Sequence, residues 1–489
     1  MNIAQLETVL NQQYSVKAMI DLAELSRSPG AVYKFFYGLH QDTFDPNDRI
    51  VIYTSHDIPD VLLKHLYDAA SFVDISSWFV LLCAPVESTD STVFQRFTAV
   101  LETTDVLENN YTLPETICAI PWMQLEVRGG GEIYPCCVMK NSSTIGNVQT
   151  ITVQDAFYGE SMNSLRKDLL DGKKPSICNA CWALEDQGIT STRIHHIAKL
   201  KKKFLLEYLE SPAITGIDIK FNNTCNFKCR ICNPDSSSLV AAEHYKFLGI
   251  PIQSQAKWGE SEKFIQEIIE LSPHLSSIDM FGGEPFLIEK FSKVLQSTVD
   301  QGYAKNITLR YNSNGSIWPE KFIHLWKHFK TVDIYFSIDA VGRRFELQRG
   351  GSWLEVESNI LRLKDLNFPN LNISLMPTLN IMSLYYIDEV YDWATKHNFK
   401  LVSNILLSPE HFSIKNLTKE AQDLIVEKFK NHPWADIQQM LAAIESTPAS
   451  DGALFREKIK WFDSVRKENF SDSHPEIAKV MGYVYNSNV

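Results

Sequence analysis

Cys225, Cys229 and Cys232 fall within eight residues, in the run NNTCNFKCRIC, and this C-x3-C-x2-C spacing is the strongest chemical signal in the chain. Three thiolates so close together need a cation to relieve their repulsion, and thiolate sulfur selects zinc or iron–sulfur clusters. Three ligands leave one metal corner open. An open corner marks a reactive site, because structural sites are closed by a fourth protein ligand. A structural zinc knuckle completed by a distant ligand is the plainer alternative. A second group comprises Cys118, Cys136, Cys137, Cys178 and Cys181. Cys118, Cys136, Cys178 and Cys181 make a full set of four, with Cys137 as neighbour or alternate. Such a closed site argues for electron transfer or for structure, and a zinc ribbon is its plain reading. Cys83, in WFVLLCAP, stands apart as a small buried hydrophobe.

Other residues with chemical potential follow strand-like runs. Gly282-Gly283-Glu284-Pro285 comes after SSIDMF, Asn314 after NITLRY, Ser337 and Asp339 close VDIYFSID, and Arg349 lies in LQRGGSW. Glycines let a backbone approach a ligand closely, and a carboxylate can pair with an ammonium group. Asn, Ser and Asp at such ends serve equally well as turns or helix caps. A guanidinium matches a carboxylate bidentately, although Arg349 also reads as a surface charge.

The elements that must position these residues alternate. Across 213–408 the strand-like runs GIDIKF, SSIDMF, NITLRY, VDIYFSID, NISLMPT and KLVSNILL are separated by amphipathic stretches such as EKFIQEIIELSP. Repeated βα units imply a parallel sheet, open or as a full or partial barrel, with chemistry on the loops at the C-terminal ends of the strands. Residues 1–110 read as a helix-rich start followed by strand, helix and strand (RIVIYTS, DVLLKHLYDAA, SSWFVLLCA), a small α/β module without an assigned role. Residues 111–190 are broken by GGG, Pro135 and Pro175, as suits a loop-rich module held by metal. The run KLKKKFLLEYLE has the apolar spacing of a linker helix within 191–212, and 409–489 read as helices.

Composition narrows the partners. Against 47 basic residues stand 59 acidic ones, and the net charge of -12 repels a phosphate backbone, which argues against nucleic acid. The N-terminus lacks an apolar core behind a basic start, and no apolar run reaches the roughly 20 residues that span a bilayer. A cytoplasmic protein with no membrane partner is expected, and in a reducing cytosol clustered thiols bind metal rather than pair.

The C-x3-C-x2-C loop after the first strand of the βα run, with GGEP one unit later, resembles the radical S-adenosylmethionine (SAM) superfamily. That resemblance implies a partial, TIM-like (β/α) barrel, a 4Fe-4S cluster on Cys225, Cys229 and Cys232, and SAM chelated to the open iron and cleaved reductively. The resulting 5′-deoxyadenosyl radical takes a hydrogen atom from substrate. It gives Phe227 the role of shielding the cluster or touching adenine, Glu284 that of pairing with the SAM ammonium, and Gly282, Gly283, Asn314, Ser337, Asp339 and Arg349 further SAM contacts. The second cysteine group, with four residues between Gly131 and Cys136, resembles the SPASM and twitch domains, which carry an auxiliary 4Fe-4S cluster and in most relatives follow the barrel. The expected function is modification of a ribosomally made peptide, with dehydrogenation or epimerisation of a sugar, nucleoside or other small molecule as the alternative. A reductant such as flavodoxin or ferredoxin is an implied partner. A module of two structural zinc sites would leave GGEP and the strand-end residues without a task.

Overall fold

The computed structural model describes residues 113–139, 143–186, 190–200, 208–209, 211–251, 261–406 and 408–484, together with four strands nearer the N-terminus. The chain divides into two units, Met1–Ile117 with His195–Glu210, and Cys118–Ile194 with Ser211–Val489. In the first unit β1 (Ser15–Asp21), β2 (Asp48–Tyr53), β3 (Phe79–Leu82) and β4 (Ala99–Glu102) form a parallel sheet in sequence order. Their branched aliphatic residues suit a pleated surface. The expected helix-rich start therefore contains β1. The expected helix around DVLLKHLYDAA, Cys83 and most of KLKKKFLLEYLE lie outside the described residues.

The second unit is built on one long sheet. Its parallel strands are β5 (Gln124–Val127), β8 (Gly216–Ile219), β9 (Ser277–Met280), β10 (Thr308–Ser313), β11 (Thr331–Phe336), β12 (Leu371–Leu375) and β14 (Lys400–Leu401). The short strands β6 (Glu132–Tyr134) and β7 (Gly146–Asn147) add to β5 antiparallel, giving the order β14-β12-β11-β10-β9-β8-β5-β6-β7. Two further short strands, β13 (Thr378–Leu379) and β15 (Asn404–Ile405), pair with each other. The cysteine-bearing segment 111–190, expected to be loop-rich, thus supplies three strands of the sheet that carries the C-x3-C-x2-C loop. Parallel strands need long crossovers, and helices supply them. Ser238–Leu248 follows β8, Ser292–Asp300 follows β9, Glu320–Trp326 follows β10 and Trp353–Asp365 follows β11. The hydroxyls of Ser237 and Ser352 cap two of these helices by accepting the N–H of Val240 and Glu355.

The strands alternate. Ile217, Ile219, Ile278, Met280, Leu309, Tyr311, Val332, Ile334 and Phe336 are buried on one face. That face meets the helices, since the Tyr311 ring packs on Phe322 and Trp326 at centroid distances of 6.4 and 5.8 Å. The other face carries polar side chains and lies opposite the helices. Among the described residues the sheet runs from β14 at one edge to β7 at the other, in keeping with the expected partial (β/α) barrel. Beyond it the chain is helical, with Lys419–Phe429, Ala435–Ser446 and Ala453–Arg466 the longest segments. Among the described residues no helix is long and apolar enough to cross a membrane.

Candidate active site

The cysteine loop leaves the C-terminal end of β8 and is held by its own polar residues. Asn222 Oδ1 accepts the N–H of Thr224 at 2.8 Å, Ser237 Oγ donates to Phe227 O at 2.6 Å, and Cys232 N donates to Cys229 O at 3.0 Å. From outside, Arg230 N donates to Gln348 O at 2.8 Å. The turn after β9 is stapled to this loop, with Glu284 N donating to Thr224 O (2.8 Å) and Gly283 N to Ser236 O (3.2 Å). Gly283 has φ +59°, and a Cβ there would stand 2.3 Å from Thr224 O, so the contact requires glycine. Gly282 lies likewise against the Lys220 side chain.

Glu284 is fully buried. Its Oε1 accepts from Ser313 Oγ (2.9 Å) and Phe286 N (3.3 Å), and its Oε2 accepts from Asn314 N (2.8 Å). Burial beside the Phe286–Tyr311–Trp326 ring cluster pushes the carboxyl up to about 7, against the pull of the three donors. Asn314 has its amide between two partners, with Nδ2 3.0 Å from Asn226 Oδ1 and 3.8 Å from Cys225 Sγ. Its Oδ1 accepts from Ser316 N at 2.9 Å. Asn226 and Ser316, which close this bridge, carry no motif and were not singled out from sequence.

Asp339 and Arg349 meet each other. Arg349 NH2 is 2.7 Å from Asp339 Oδ2, both side chains are buried, and Arg349 NH1 points at Cys229 Sγ at 3.9 Å. Thr378 N and Gln348 Nε2 complete the Asp339 carboxylate. Ser337 reaches the site through its backbone, donating N–H to Ser313 O at 2.9 Å. The Phe227 ring is buried against Gly351 and Phe345, so it anchors the loop from beneath.

Burial raises the thiols of all three loop cysteines. Cys225 is pushed up to about 11 and Cys232 to about 12, each further raised by Cys229, and Cys229 is raised too. Thiolates here therefore need a bound cation. Among the described residues no three His, Cys, Asp or Glu side chains already converge as a metal site. The donor chemistry nevertheless fits a thiolate-bound cluster, because Phe227 N (3.4 Å) and the Asn314 amide address Cys225 Sγ while the Arg349 guanidinium addresses Cys229 Sγ.

In the second group Cys118, Cys136 and Cys181 are buried, Cys178 is half-buried and Cys137 is exposed. Burial lifts Cys118 to about 12, with Cys178 and Cys181 close enough to add to it and Arg193 close enough to oppose it. Cys178 is lifted to about 11 by burial and by Cys181. Arg193 is fixed over the Trp182 ring at 4.8 Å and paired with Glu185 at 2.5 Å. Cys137 turns its thiol to Cys136, and that hydrogen bond raises it well above the usual range.

A family model of the radical SAM superfamily matches residues 219–394, and one of the SPASM iron–sulfur cluster-binding domain matches residues 118–182. The radical SAM cyclopropyl synthase TigE of Paramaledivibacter caminithermalis is 24% identical over 212 residues, covering 42% of this chain and 44% of that protein. GTP 3′,8-cyclase of Vibrio atlanticus is 24% identical over 170 residues, covering 34% of this chain and 47% of that protein. The chain thus spans less than half the length of these curated relatives. Among solved structures, native anSMEcpe with bound AdoMet is 17% identical with a TM-score of 0.35, over 46% of this chain and 62% of that one. Streptococcus suis SuiB bound to precursor peptide SuiA is 10% identical with a TM-score of 0.31, over 59% of this chain and 61% of that one.

Proposed function

We propose that this chain, which carries a radical SAM domain preceded by a SPASM domain, modifies a ribosomally made peptide. A 4Fe-4S cluster and SAM are the cofactors of the first domain, and auxiliary iron–sulfur clusters belong to the second. The observation that carries the reading is the convergence of four strand ends. The cysteine loop after β8, Glu284 after β9, Asn314 after β10 and the Asp339–Arg349 pair after β11 form one hydrogen-bonded unit.

A bound cluster with SAM would supply one-electron chemistry that abstracts hydrogen from substrate. The chain's own residues do the rest. Cys225, Cys229 and Cys232 are the thiolates that would hold the cluster, three ligands for its four irons. Glu284, held in place by three donors, offers the remaining lone pair of Oε2 to the SAM ammonium. Asn314 and Arg349 hydrogen-bond thiolate sulfur, a contact that raises a cluster's potential. Buried Phe227 and Phe345 keep water from beneath the loop. A low-potential protein such as flavodoxin or ferredoxin supplies the electron. The SPASM match favours a peptide. The likeness to GTP 3′,8-cyclase gives the second reading, a nucleotide or other small molecule.

The test is anaerobic reconstitution followed by reduction in the presence of SAM. Wild type should form 5′-deoxyadenosine, and a variant with Cys225, Cys229 and Cys232 replaced by alanine should form none. Unchanged 5′-deoxyadenosine in that variant would refute the reading. Deuterium transferred into 5′-deoxyadenosine from a labelled nucleotide or sugar, and from no peptide, would leave the radical chemistry but overturn the peptide.

A further inference from the structure

The face of the sheet opposite the helices carries a row of polar residues that the SAM site does not use. Glu126 on β5, Asp218 on β8, Asp279 on β9, Arg310 on β10, Asp333 on β11 and Asn372 on β12 are lateral partners in register. Lateral partners project to the same side, opposite the helix-packed Ile, Leu and Val positions, and neighbouring strands stand about 4.8 Å apart.

Most of this row is internally satisfied. Arg128 Nε pairs with Glu126 at 2.8 Å, Arg310 NH1 grips both oxygens of Asp279 at 2.9 and 3.2 Å, Arg310 Nε lies 3.7 Å from Asp333, and Asn372 Nδ2 donates to Asp333 at 2.8 Å. Asp218 is the exception. It is 7% exposed, and among the described residues no hydrogen bond reaches its carboxyl, while the Arg310 guanidinium, committed to Asp279, acts on it only from two strands away. Lys220, two residues on and so on the same face, turns its Nζ away to Ser236 Oγ at 2.9 Å. Burial raises the Asp218 carboxyl well above the usual range, Asp279, Cys137 and Glu126 add to the shift, and Arg310 opposes it without cancelling it. A buried carboxyl flanked by two others is costly unless something positive completes it. Along the row the side chains become more accessible, 28% for Asp279 and 40% for Arg310, so the face opens beside Asp218.

We propose that Asp218, flanked by Glu126 and Asp279, is the anchor for a cationic group of the substrate, a primary ammonium such as that of a lysine side chain. The proposal rests on the radical SAM reading and adds a substrate class to it. Asp218 stands on the polar face of β8, seven residues before Cys225 in the loop that leaves the end of that strand. A substrate held there by its charged end offers its other atoms to the strand ends, where the hydrogen is to be taken.

The test uses the anaerobically reconstituted full chain with SAM bound, and Nα-acetyl-lysine N-methylamide as probe. Its Nε-acetylated counterpart serves as the neutral control, and n-butylamine as the small-molecule source of the same charge. Affinities are read by ligand-observed NMR titration. The lysine derivative should bind roughly tenfold to a hundredfold tighter than its acetylated form. Asp218→Asn, which keeps the volume and removes the charge, should erase that ratio. Binding of n-butylamine equal to that of the lysine derivative would support the anchor and assign it to a small amine, and weaker binding would assign it to a peptide. Equal binding of the amine and acetylamide by wild type overturns the proposal without recourse to any variant. So does an undiminished ratio in Asp218→Asn. Formation of 5′-deoxyadenosine by wild type is scored separately, so failure of the radical chemistry and failure of the anchor are told apart.

Discussion

Arg230 lies inside the cysteine loop yet is held by the far end of the chain. Its side chain is 0% exposed, and NH2 reaches Asp463 Oδ1 at 2.8 Å and Glu468 Oε2 at 2.6 Å. Asp463 is itself 1% exposed and also accepts from Phe470 N and Tyr483 OH, each at 2.8 Å. Replacing Arg230 with Met keeps most of the volume, including the contact with the Phe462 ring, but strands a buried carboxylate. Removing one partner of a buried pair costs about 3–5 kcal/mol. Two remaining donors on Asp463 place the expected loss near the lower end, about 3 kcal/mol, and Glu468, at 28% exposure, can turn to water. Because Nε and NH1 of Arg230 find no hydrogen-bond partner among the described residues, the pair is incompletely satisfied. The double variant Arg230→Met/Asp463→Asn should therefore recover much of the loss, with a coupling of about 2 kcal/mol. Urea unfolding of the metal-free protein measures both values. Hydrogen exchange localises them, since the Arg230 and Cys232 amides should lose protection in the single variant. A single variant within about 1 kcal/mol of wild type, or unchanged exchange across 227–233, would refute the reasoning.

Glu284 makes stability depend on pH. Its carboxyl rises from an ordinary value near 4.5 to about 7 in the folded state, so the folded chain holds the proton more tightly. The stability this gives is complete below about pH 4.5 and lost as pH rises through about 7, amounting to about 3 kcal/mol. In the absence of SAM, Glu284→Gln should flatten the thermal-stability profile between about pH 5 and 8, and parallel profiles would contradict the assignment. Gly283→Ala must put a methyl group into Thr224 O at a positive φ, so the protein should lose at least about 2 kcal/mol. Iron content after reconstitution should fall from about eight towards about four per chain as the cysteine loop loses its staple.

The cysteine loop, GGEP and the strand ends were legible because each is a local pattern: ligand spacing within eight residues, a turn after an apolar run, an alternation of period two. What escaped the sequence is non-local. Asp339 and Arg349 each read as a ligand contact, whereas their side chains are joined ten residues apart by the return of the chain through Gly342–Arg349. The Arg230–Asp463 pair spans 233 residues, and no periodicity links its ends. The strand QLEV is only four residues long, too short to announce itself, and is made a strand by pairing with β8 from Gln124↔Gly216 to Val127↔Ile219. Burial likewise cannot be read from a motif, and burial is what sets Glu284 and Asp218 apart from ordinary surface acids.

That pairing also decides how the second cysteine group stands to the first. β5 and β8 are parallel, and the ladder continues before them through Ala213 N to Trp122 O and Thr215 N to Met123 O, so the segment bearing Cys118 arrives at the N-terminal edge of the sheet. The loop bearing Cys225 leaves from the opposite edge. Four strand residues, roughly 13 Å, separate the two edges. Cys118, with Cys178 and Cys181 beside it, is thereby kept from the strand-end loops, which suits a relay of electrons better than contact with substrate. The chain after β6 is different, because Arg128 NH2 holds Cys137 O at 3.2 Å and Met139 O at 2.8 Å, and Glu126 of the polar face acts on the Cys137 thiol. Cys136 is buried like Cys118 and Cys181, while Cys137 is exposed. The fourth place of the auxiliary site should accordingly fall to Cys136. Cys136→Ser should lose the auxiliary iron while Cys137→Ser retains it, as read by iron analysis and by the spectrum of the reduced protein. Retention in the first variant and loss in the second would assign the place to Cys137 and bring the auxiliary site towards the polar face that carries Glu126.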